Sequence, residues 1–166
     1  AAVAAHRARG LDPDRPMLRG SAQNRDVYFQ ARAACSPFHA NVPTAVQSTM
    51  DRLAGLTSRQ YHLVDYFGAP DADRVIVLMG SGVGAVRETV TELMTTGERV
   101  GVAVVRLYRP FPTEALLAAL PPSTRTVVVL DRTKEPGAPF EPLHRDVLSA
   151  LWHSPTDGWV DGRTPR

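Results

Sequence analysis

Cysteine is almost absent from this sequence, since Cys35 is the single one among 166 residues. One thiol cannot form an internal disulfide, and it excludes a cysteine-based zinc or iron–sulfur site within the chain. The five histidines are dispersed, and none of them shows the spacing of a helical metal site. We therefore predict that the chain holds no metal, and its low cysteine content fits a reducing cytoplasm.

Long apolar runs and concentrated charge are also missing. No stretch approaches the roughly 20 apolar residues of a membrane span. The 19 lysine and arginine residues are scattered, give a net charge of only +2, and form no basic stripe of the kind that binds nucleic acid. Membrane and nucleic-acid-binding proteins are disfavoured, whereas 43% apolar and 22% charged residues are ordinary for a soluble globular domain.

The second half of the chain alternates apolar runs with helical patterns. Residues 75–79 are uninterruptedly apolar, which indicates a strand buried on both faces, and residues 100–107 and 126–130 predict two further strands. Helical spacing predicts helices at 83–94, at 113–120 and from Pro142 onward. The order β-α-β-α-β-α predicts an α/β fold, a three-layer parallel sheet with right-handed crossovers.

The first half gives weaker signals. The chain begins at Ala1 in what reads as the tail of a helix ended by Gly10, so we expect a piece of a larger protein. Residues 24–34 show no clean period and are interpreted as a connection lying on a neighbouring domain. Asn41 is predicted to cap a helix, and residues 61–67 can form a short edge strand. The apolar stripe of that helix consists of Val42, Val46, Met50 and Leu53.

A glycine-rich turn follows the first buried strand. The run Gly80-Ser81-Gly82-Val83-Gly84-Ala85 formally matches the dinucleotide-binding fingerprint, in which glycines let the backbone approach a pyrophosphate. Arg106 stands in the region where that fingerprint needs an acidic ribose ligand. Because glycines suit any turn between a parallel strand and a helix, the structural interpretation is favoured over nucleotide binding.

Charged residues follow the second and third buried strands. If these strands are neighbours, their carboxyl ends place the charges side by side at one edge of the sheet, where α/β proteins hold function. The cluster could be an anion or coenzyme cradle, or an ion-pair network that fixes loops or a domain contact. Prolines stiffen both segments, and we favour a rigid interface element. Its members are Arg106, Arg109, Asp131, Arg132, Lys134 and Glu135.

Five phrases of the sequence together resemble pyruvate:ferredoxin (flavodoxin) oxidoreductases, over about residues 18–151. They are Leu18-Arg19-Gly20-Ser21-Ala22-Gln23-Asn24, Asp26-Val27-Tyr28-Phe29-Gln30, Phe67-Gly68-Ala69-Pro70-Asp71-Ala72, Val105-Arg106-Leu107-Tyr108-Arg109-Pro110-Phe111 and Val129-Leu130-Asp131-Arg132-Thr133-Lys134-Glu135-Pro136-Gly137-Ala138-Pro139.

The resemblance implies a division of the chain. Residues 1–58 correspond to the end of an N-terminal pyrimidine-binding domain and a connecting helix. Residues 59–153 correspond to a domain that is similar to the C-terminal domain of transketolase, and residues 154–166 are expected to be an irregular tail. The fold expectation is therefore a transketolase C-terminal-like domain preceded by a helical or irregular extension.

The resemblance also implies the chemistry of the whole enzyme. Such enzymes oxidatively decarboxylate pyruvate to acetyl-CoA, using thiamine diphosphate, magnesium and iron–sulfur clusters, and pass electrons to ferredoxin or flavodoxin. A cytoplasmic homodimer is expected. The family's cofactor ligands lie outside the matching region, and the Gly-Asp-Gly magnesium signature is missing here. No catalytic or cofactor-binding residue is therefore assigned, and the chain alone is expected to be inactive.

Two other interpretations stay open. The chain could be a free-standing nucleotide- or CoA-binding module that uses residues 80–85 together with Arg106, Arg109 and Lys134, or it could be a remnant without a selected function. For the fragment itself, a truncated gene product and a part that assembles with separately encoded domains are both possible.

Overall fold

The computed structural model describes residues 1–16, 20 and 22–152 of the chain. Contacts divide the chain into two units, Ala1–Pro37 and Phe38–Arg166, and each unit is described by itself. Among the described helices, none is long and apolar enough to cross a membrane. The predicted irregular tail at 154–166 lies outside the described residues.

The regular structure of the first unit is helical. Helix α1 (Ala2–Ala8) is followed by Arg9 and Gly10, as the sequence predicts. Helix α2 (Arg25–Ala34) occupies the segment in which no helical period is visible. Neither helix buries a residue, which explains why the sequence of α2 shows no apolar stripe. Tyr28 and Phe29 of α2 are 55% and 75% exposed. A short helix, α3 (Ser36–Ala40), comes next in the chain.

A four-stranded sheet organises the second unit. Its strands are β1 (Val64–Gly68), β2 (Arg74–Leu78), β3 (Val100–Val105) and β4 (Thr126–Val129), arranged in the order β1-β3-β2-β4. β2 is parallel to both β3 and β4, whereas β1 pairs antiparallel with β3 at the edge. The three predicted parallel strands and the short edge strand are thus confirmed.

The strand order corrects one expectation from the sequence. β2 lies between β3 and β4, so the two strands that end in charged segments are not neighbours. The reason is that the helices after β2 and β3, α5 (Val83–Thr95) and α6 (Thr113–Ala119), pack on opposite faces of the sheet. Right-handed crossovers on opposite faces carry the chain in opposite directions, first to β3 and then back past β2 to β4.

The apolar core has one layer on each face of the sheet. On one face α6 and α7 (Pro142–Trp152) cover β2 and β3, and Leu116 and Leu143 are both 0% exposed. On the other face, α5 places Val90 against Val102 and its neighbours. Helical spacing places Leu93 and Met94 on the same face of α5, but these two side chains are 39% and 37% exposed.

β1 approaches β3 very closely at two glycines. Gly68 has a φ of +143°, and a Cβ on it would lie 2.4 Å from the Cα of Gly101. The hydroxyl of Tyr66 lies over Gly101, where an added Cβ would meet it at 2.1 Å, and donates a 2.6 Å hydrogen bond to the carbonyl of Ala69. Because Gly101 has no side chain, the ring of Tyr66 can pack directly on β3, and β1 can pair closely with it.

Helix α4 (Val42–Thr57) precedes β1 and confirms the predicted helix. Asn41 does not cap it, because its backbone is helical (φ −82°, ψ −13°) and its side chain makes no capping hydrogen bond. The link to the sheet is Gln47, whose amide donates to the carbonyl of Tyr61 at 3.1 Å and accepts from the N–H of Leu63 at 3.2 Å. These bonds fix the segment that leads into β1.

Candidate functional site

The six charged residues predicted at the strand ends fall into three separate groups. Arg106 lies beside β1, Arg132 contacts the glycine-rich turn, and the other four surround α7. The six do not form one site, because Arg106 and Arg132 contact parts of the domain other than α7.

Arg106 pairs with a carboxylate on the edge strand. Its Nε donates to Oδ2 of Asp65, and its guanidinium lies over the ring of Tyr61 with Cζ 4.5 Å from the centroid. Asp65 Oδ1 also contacts the backbone N–H and the Nδ1 of His62, at 3.0 and 2.9 Å. Partial burial of Asp65 opposes ionisation, but the hydrogen bonds from Arg106 and His62 prevail and lower the pKa of its carboxyl.

Arg109 connects the end of β3 to α7. Its Nη1 lies 2.8 Å from Oδ2 of Asp146, and its guanidinium stacks on Tyr108 with Cζ 4.0 Å from the ring centroid. The approach to Asp146 is an ion pair without hydrogen-bond geometry, which leaves that buried oxygen without a hydrogen-bond donor. Burial, together with the negative charge of nearby Asp146, raises the pKa of Tyr108.

Asp131 joins the end of β4 to the first turn of α7. Its Oδ2 accepts the N–H of Leu143 at 2.9 Å, and its Oδ1 accepts the N–H of Thr133 at 3.1 Å. Partial burial opposes ionisation, yet backbone hydrogen bonds from Leu143, Thr133 and Arg132 lower the pKa of Asp131. An ionised carboxylate at a helix N-terminus stabilises that end of the helix.

Lys134 and Glu135 bind the same end of α7. Lys134 Nζ lies 2.7 Å from Oε1 of Glu141, whose Oε2 accepts the N–H of Glu135 at 2.8 Å. Glu135 Oε2 in turn accepts from Arg145 Nη2 at 2.8 Å. These hydrogen bonds with Lys134 and the backbone lower the pKa of Glu141. The loop after β4 is therefore fastened to α7 at several points.

Arg132 bridges the loop after β4 to the glycine-rich turn after β2. Its Nη1 donates to Oγ of Ser81 at 3.3 Å, and Gly80 beside it has a φ of +83°. The turn itself is a 3-10 helix, Gly80–Gly82, that runs directly into α5. The glycines therefore serve the strand-to-helix turn, as the structural interpretation of the fingerprint expects.

The nucleotide- or CoA-binding interpretation is not supported by this geometry. It needs Arg106, Arg109 and Lys134 to converge on the glycine-rich turn. Each of them instead pairs with a different carboxylate, and these are Asp65, Asp146 and Glu141. Within residues 1–16, 20 and 22–152, no three His, Cys, Asp or Glu side chains lie together as a metal site.

Sequence reasoning missed the carboxylates that receive these cations. Leu143 and Val147 are both buried, and Asp146 lies three residues after the first and directly before the second. This position beside the buried face of α7 could have identified Asp146 as a partner for a cation. Asp65 lies 41 residues from Arg106, and no local pattern joins them. These ion pairs and hydrogen bonds fasten α7 and β1 to neighbouring parts of the domain, which is a structural role.

Comparison with known proteins gives a consistent result. A model of the family described as pyruvate:ferredoxin oxidoreductase core domain II matches residues 72–161. The chain is 58% identical over 149 residues to the pyruvate-flavodoxin oxidoreductase of Rhodospirillum rubrum, a match that covers 90% of this chain and 12% of that protein. It is 52% identical over 150 residues to the pyruvate:ferredoxin oxidoreductase of Moorella thermoacetica, covering 90% of this chain and 13% of that protein.

A third relative, the pyruvate-flavodoxin oxidoreductase of Trichormus variabilis, is 53% identical over 163 residues, or 98% of this chain and 13% of that protein. The chain therefore spans only about 12–13% of the length of these curated relatives. The family model covers more than half of the chain and includes the three parallel strands, β2, β3 and β4, with the helices that connect them. The chain thus belongs to the pyruvate:ferredoxin oxidoreductase core domain II family.

Proposed function

We propose that this chain is a structural domain of an oxidoreductase that oxidatively decarboxylates pyruvate to acetyl-CoA and passes the electrons to ferredoxin or flavodoxin. The observation that carries the proposal is the match of residues 72–161 to core domain II of that family. Relatives that are named as such oxidoreductases align with most of this chain but extend far beyond it. The chain alone turns over no pyruvate.

The domain division follows the same family relationship. Residues 1–58 form the end of the pyrimidine-binding domain and its connecting helix, and residues 59–153 form a domain that resembles the C-terminal domain of transketolase. Residues 154–166 are assigned to neither of these domains. The mixed four-stranded sheet with helices on both faces supports this division. Ser58 ends α4 in a left-handed conformation at this boundary, although contacts group α4 in one unit with the sheet.

The charged strand ends serve as the rigid interface element of the domain. Fastening α7 to the ends of β3 and β4 keeps this surface in one shape, so a neighbouring domain can pack against it without the entropic cost of reordering. The support is that Arg109, Asp131 and Glu135 each contact α7. Arg106 and Arg132 fix the adjoining loops.

Thiamine diphosphate, magnesium, iron–sulfur clusters and CoA belong to the rest of the enzyme. The residues of this chain do not fit the magnesium ion, because no three acidic or other metal-binding side chains converge among the described residues. In this proposal the contribution of the chain to the reaction is structural. The whole enzyme is a cytoplasmic homodimer, and the partners of this chain are its remaining domains.

The test is a pyruvate-oxidation assay of the 166-residue chain with thiamine diphosphate, magnesium, CoA and a dye acceptor. The intact Rhodospirillum rubrum relative serves as the positive control under the same conditions. We expect dye reduction by the relative and none by the chain. Pyruvate-dependent turnover by the chain alone would show that the domain is catalytic and end the proposal.

A further inference from the structure

A cleft of about 460 Å³ runs along β1 and reaches the first turns of α5. Its volume lies in the range of about 300–1,000 Å³ that is typical of small-ligand sites. The wall is made by β1 itself, by the segment before it, and by residues from α5 and the end of β3. The lining residues include Gln60, Tyr61, Phe67, Val83, Arg87 and Arg106.

Two guanidinium groups line the cleft, and each is stacked on an aromatic ring. The Cζ of Arg87 lies 4.6 Å from the ring centroid of Phe67, and that of Arg106 lies 4.5 Å from the centroid of Tyr61. Stacking holds each planar group in one orientation before a ligand arrives. Less side-chain freedom is then lost on binding, so a stacked guanidinium without a carboxylate partner is preorganised for an anion.

The two arginines differ in their partners. Arg106 is already paired with Asp65, which is the one carboxylate among the described residues that line the cleft. Arg87 makes no ion pair and no side-chain hydrogen bond with any other described residue, and its exposed side chain lines the cleft. Among the residues that line the cleft, two arginines stand against one carboxylate, which leaves one excess positive charge.

The remaining wall is suited to the body of an organic molecule. Val83 and Val104 give aliphatic surface, the Phe67 ring gives aromatic surface, and the amide of Gln60 gives polar hydrogen-bonding groups at the rim. A guanidinium binds carboxylate and phosphate groups through paired N–H donors, which a lysine cannot reproduce. We propose that this cleft binds a small organic anion, with its carboxylate or phosphate on Arg87 and an apolar or planar body against the valines and Phe67.

This site is separate from the glycine-rich turn, with which it shares only Val83. It is also independent of pyruvate oxidation, because none of its residues is assigned a part in that reaction. A failed binding test would leave the structural role of the domain intact, and a failed turnover test would leave the cleft intact.

The test is a nuclear magnetic resonance titration of the ¹⁵N-labelled 166-residue chain with benzoate and, separately, with phenyl phosphate. We expect saturable shifts of the Arg87 Nε–Hε signal and of the amides of residues 60–67, with dissociation constants of about 1 mM for ligands of this size. The probe that binds with the lower dissociation constant shows whether the cleft prefers a carboxylate or a phosphate. Benzamide, a neutral molecule of nearly the same shape as benzoate, should bind at least about tenfold more weakly than benzoate.

Variants of Arg87 separate the proposal from general charge attraction. Arg87→Gln should lower the affinity for both anions at least about fivefold. Arg87→Lys should give an intermediate affinity, because lysine keeps the charge but lacks the paired N–H donors. Arg125→Gln, which removes an exposed arginine before β4, is the matched control and should change affinity less than about twofold. Equal affinity in the wild type and Arg87→Gln, or no saturation below about 20 mM, would overturn the proposal.

Discussion

The carboxylate of Asp131, just after β4, accepts a 2.9 Å hydrogen bond from the backbone N–H of Leu143 in the first turn of α7. The first N–H groups of a helix have no acceptor within the helix, so this contact satisfies one of them. It also joins the sheet to the helix that buries Leu143 and Val147. A single side chain thus links the end of β4 to the first turn of α7.

Asp131→Ala should destabilise the chain by about 1–2 kcal/mol, because a helix N-terminus loses its side-chain acceptor. Urea unfolding monitored by circular dichroism measures the change. Glu92→Gln, at an exposed position of α5, is the control and should stay within about 0.5 kcal/mol of the wild type. Equal stability of Asp131→Ala and the control would mean that the capping bond contributes nothing.

The contribution of Asp131 should depend on pH. Its pKa in the folded chain is below the ordinary value of 3.8, since backbone hydrogen bonds outweigh the opposing effect of burial. A lowered pKa stabilises the folded state fully above the unfolded pKa, and this stabilisation is lost as the pH falls through the folded pKa.

The free-energy difference between the wild type and Asp131→Asn should therefore stay constant from about pH 7 to about pH 5 and shrink below about pH 3.8. Urea titrations at a series of pH values measure it. A difference that grows as the pH falls would have the wrong sign and would contradict the assigned cause.

Gly101→Ala should disrupt the β1 edge of the sheet. The new Cβ would lie 2.1 Å from the hydroxyl of Tyr66 and 2.6 Å from its Cζ, so the ring must move. We expect a loss of at least about 2 kcal/mol in unfolding free energy, as for an overpacked core. Gly84→Ala is the matched control, because nothing lies within 4 Å of its added Cβ in α5.

Tyr66→Ala should partly rescue Gly101→Ala, since it removes the ring that the new methyl group meets. The double variant should be more stable than the sum of the two single changes predicts. Strictly additive effects would show that Gly101 is needed for another reason.

Burial on the α6 and α7 face should dominate stability. Leu116 is 0% exposed, so Leu116→Ala should cost about 2–5 kcal/mol in unfolding free energy. Leu148, on the outer side of α7, is 43% exposed, and Leu148→Ala should cost less than about 1 kcal/mol. Similar losses for the two variants would contradict the assignment of this core layer.

The sequence predicted the elements better than their arrangement. The uninterrupted apolar run at 75–79 and the spacing of Val83, Val86 and Val90 are local patterns, and both predict what the structure contains. Strand order is not local, because it depends on which face each crossover helix covers. That is why β3 and β4 were expected to be neighbours, although β2 lies between them.

The candidate site shows the same limit. Charged residues after β3 and β4 were visible in the sequence, but their partners were not. Arg106 binds Asp65 from 41 residues away, and Asp65 lies in an edge strand whose polar residues gave no signal. Arg87 is exposed and lies over the half-buried ring of Phe67, a contact between residues 20 positions apart that no local pattern predicts.

The ion pair between Arg109 and Asp146 is the contact to break in order to learn whether the charged strand ends hold α7 on the sheet. A double-mutant cycle with Arg109→Gln and Asp146→Asn, measured by urea unfolding, isolates their interaction. We predict a favourable coupling of about 1 kcal/mol, because the pair is only partly exposed to solvent. A coupling of zero would contradict the claim and leave Arg109 available to bind a ligand.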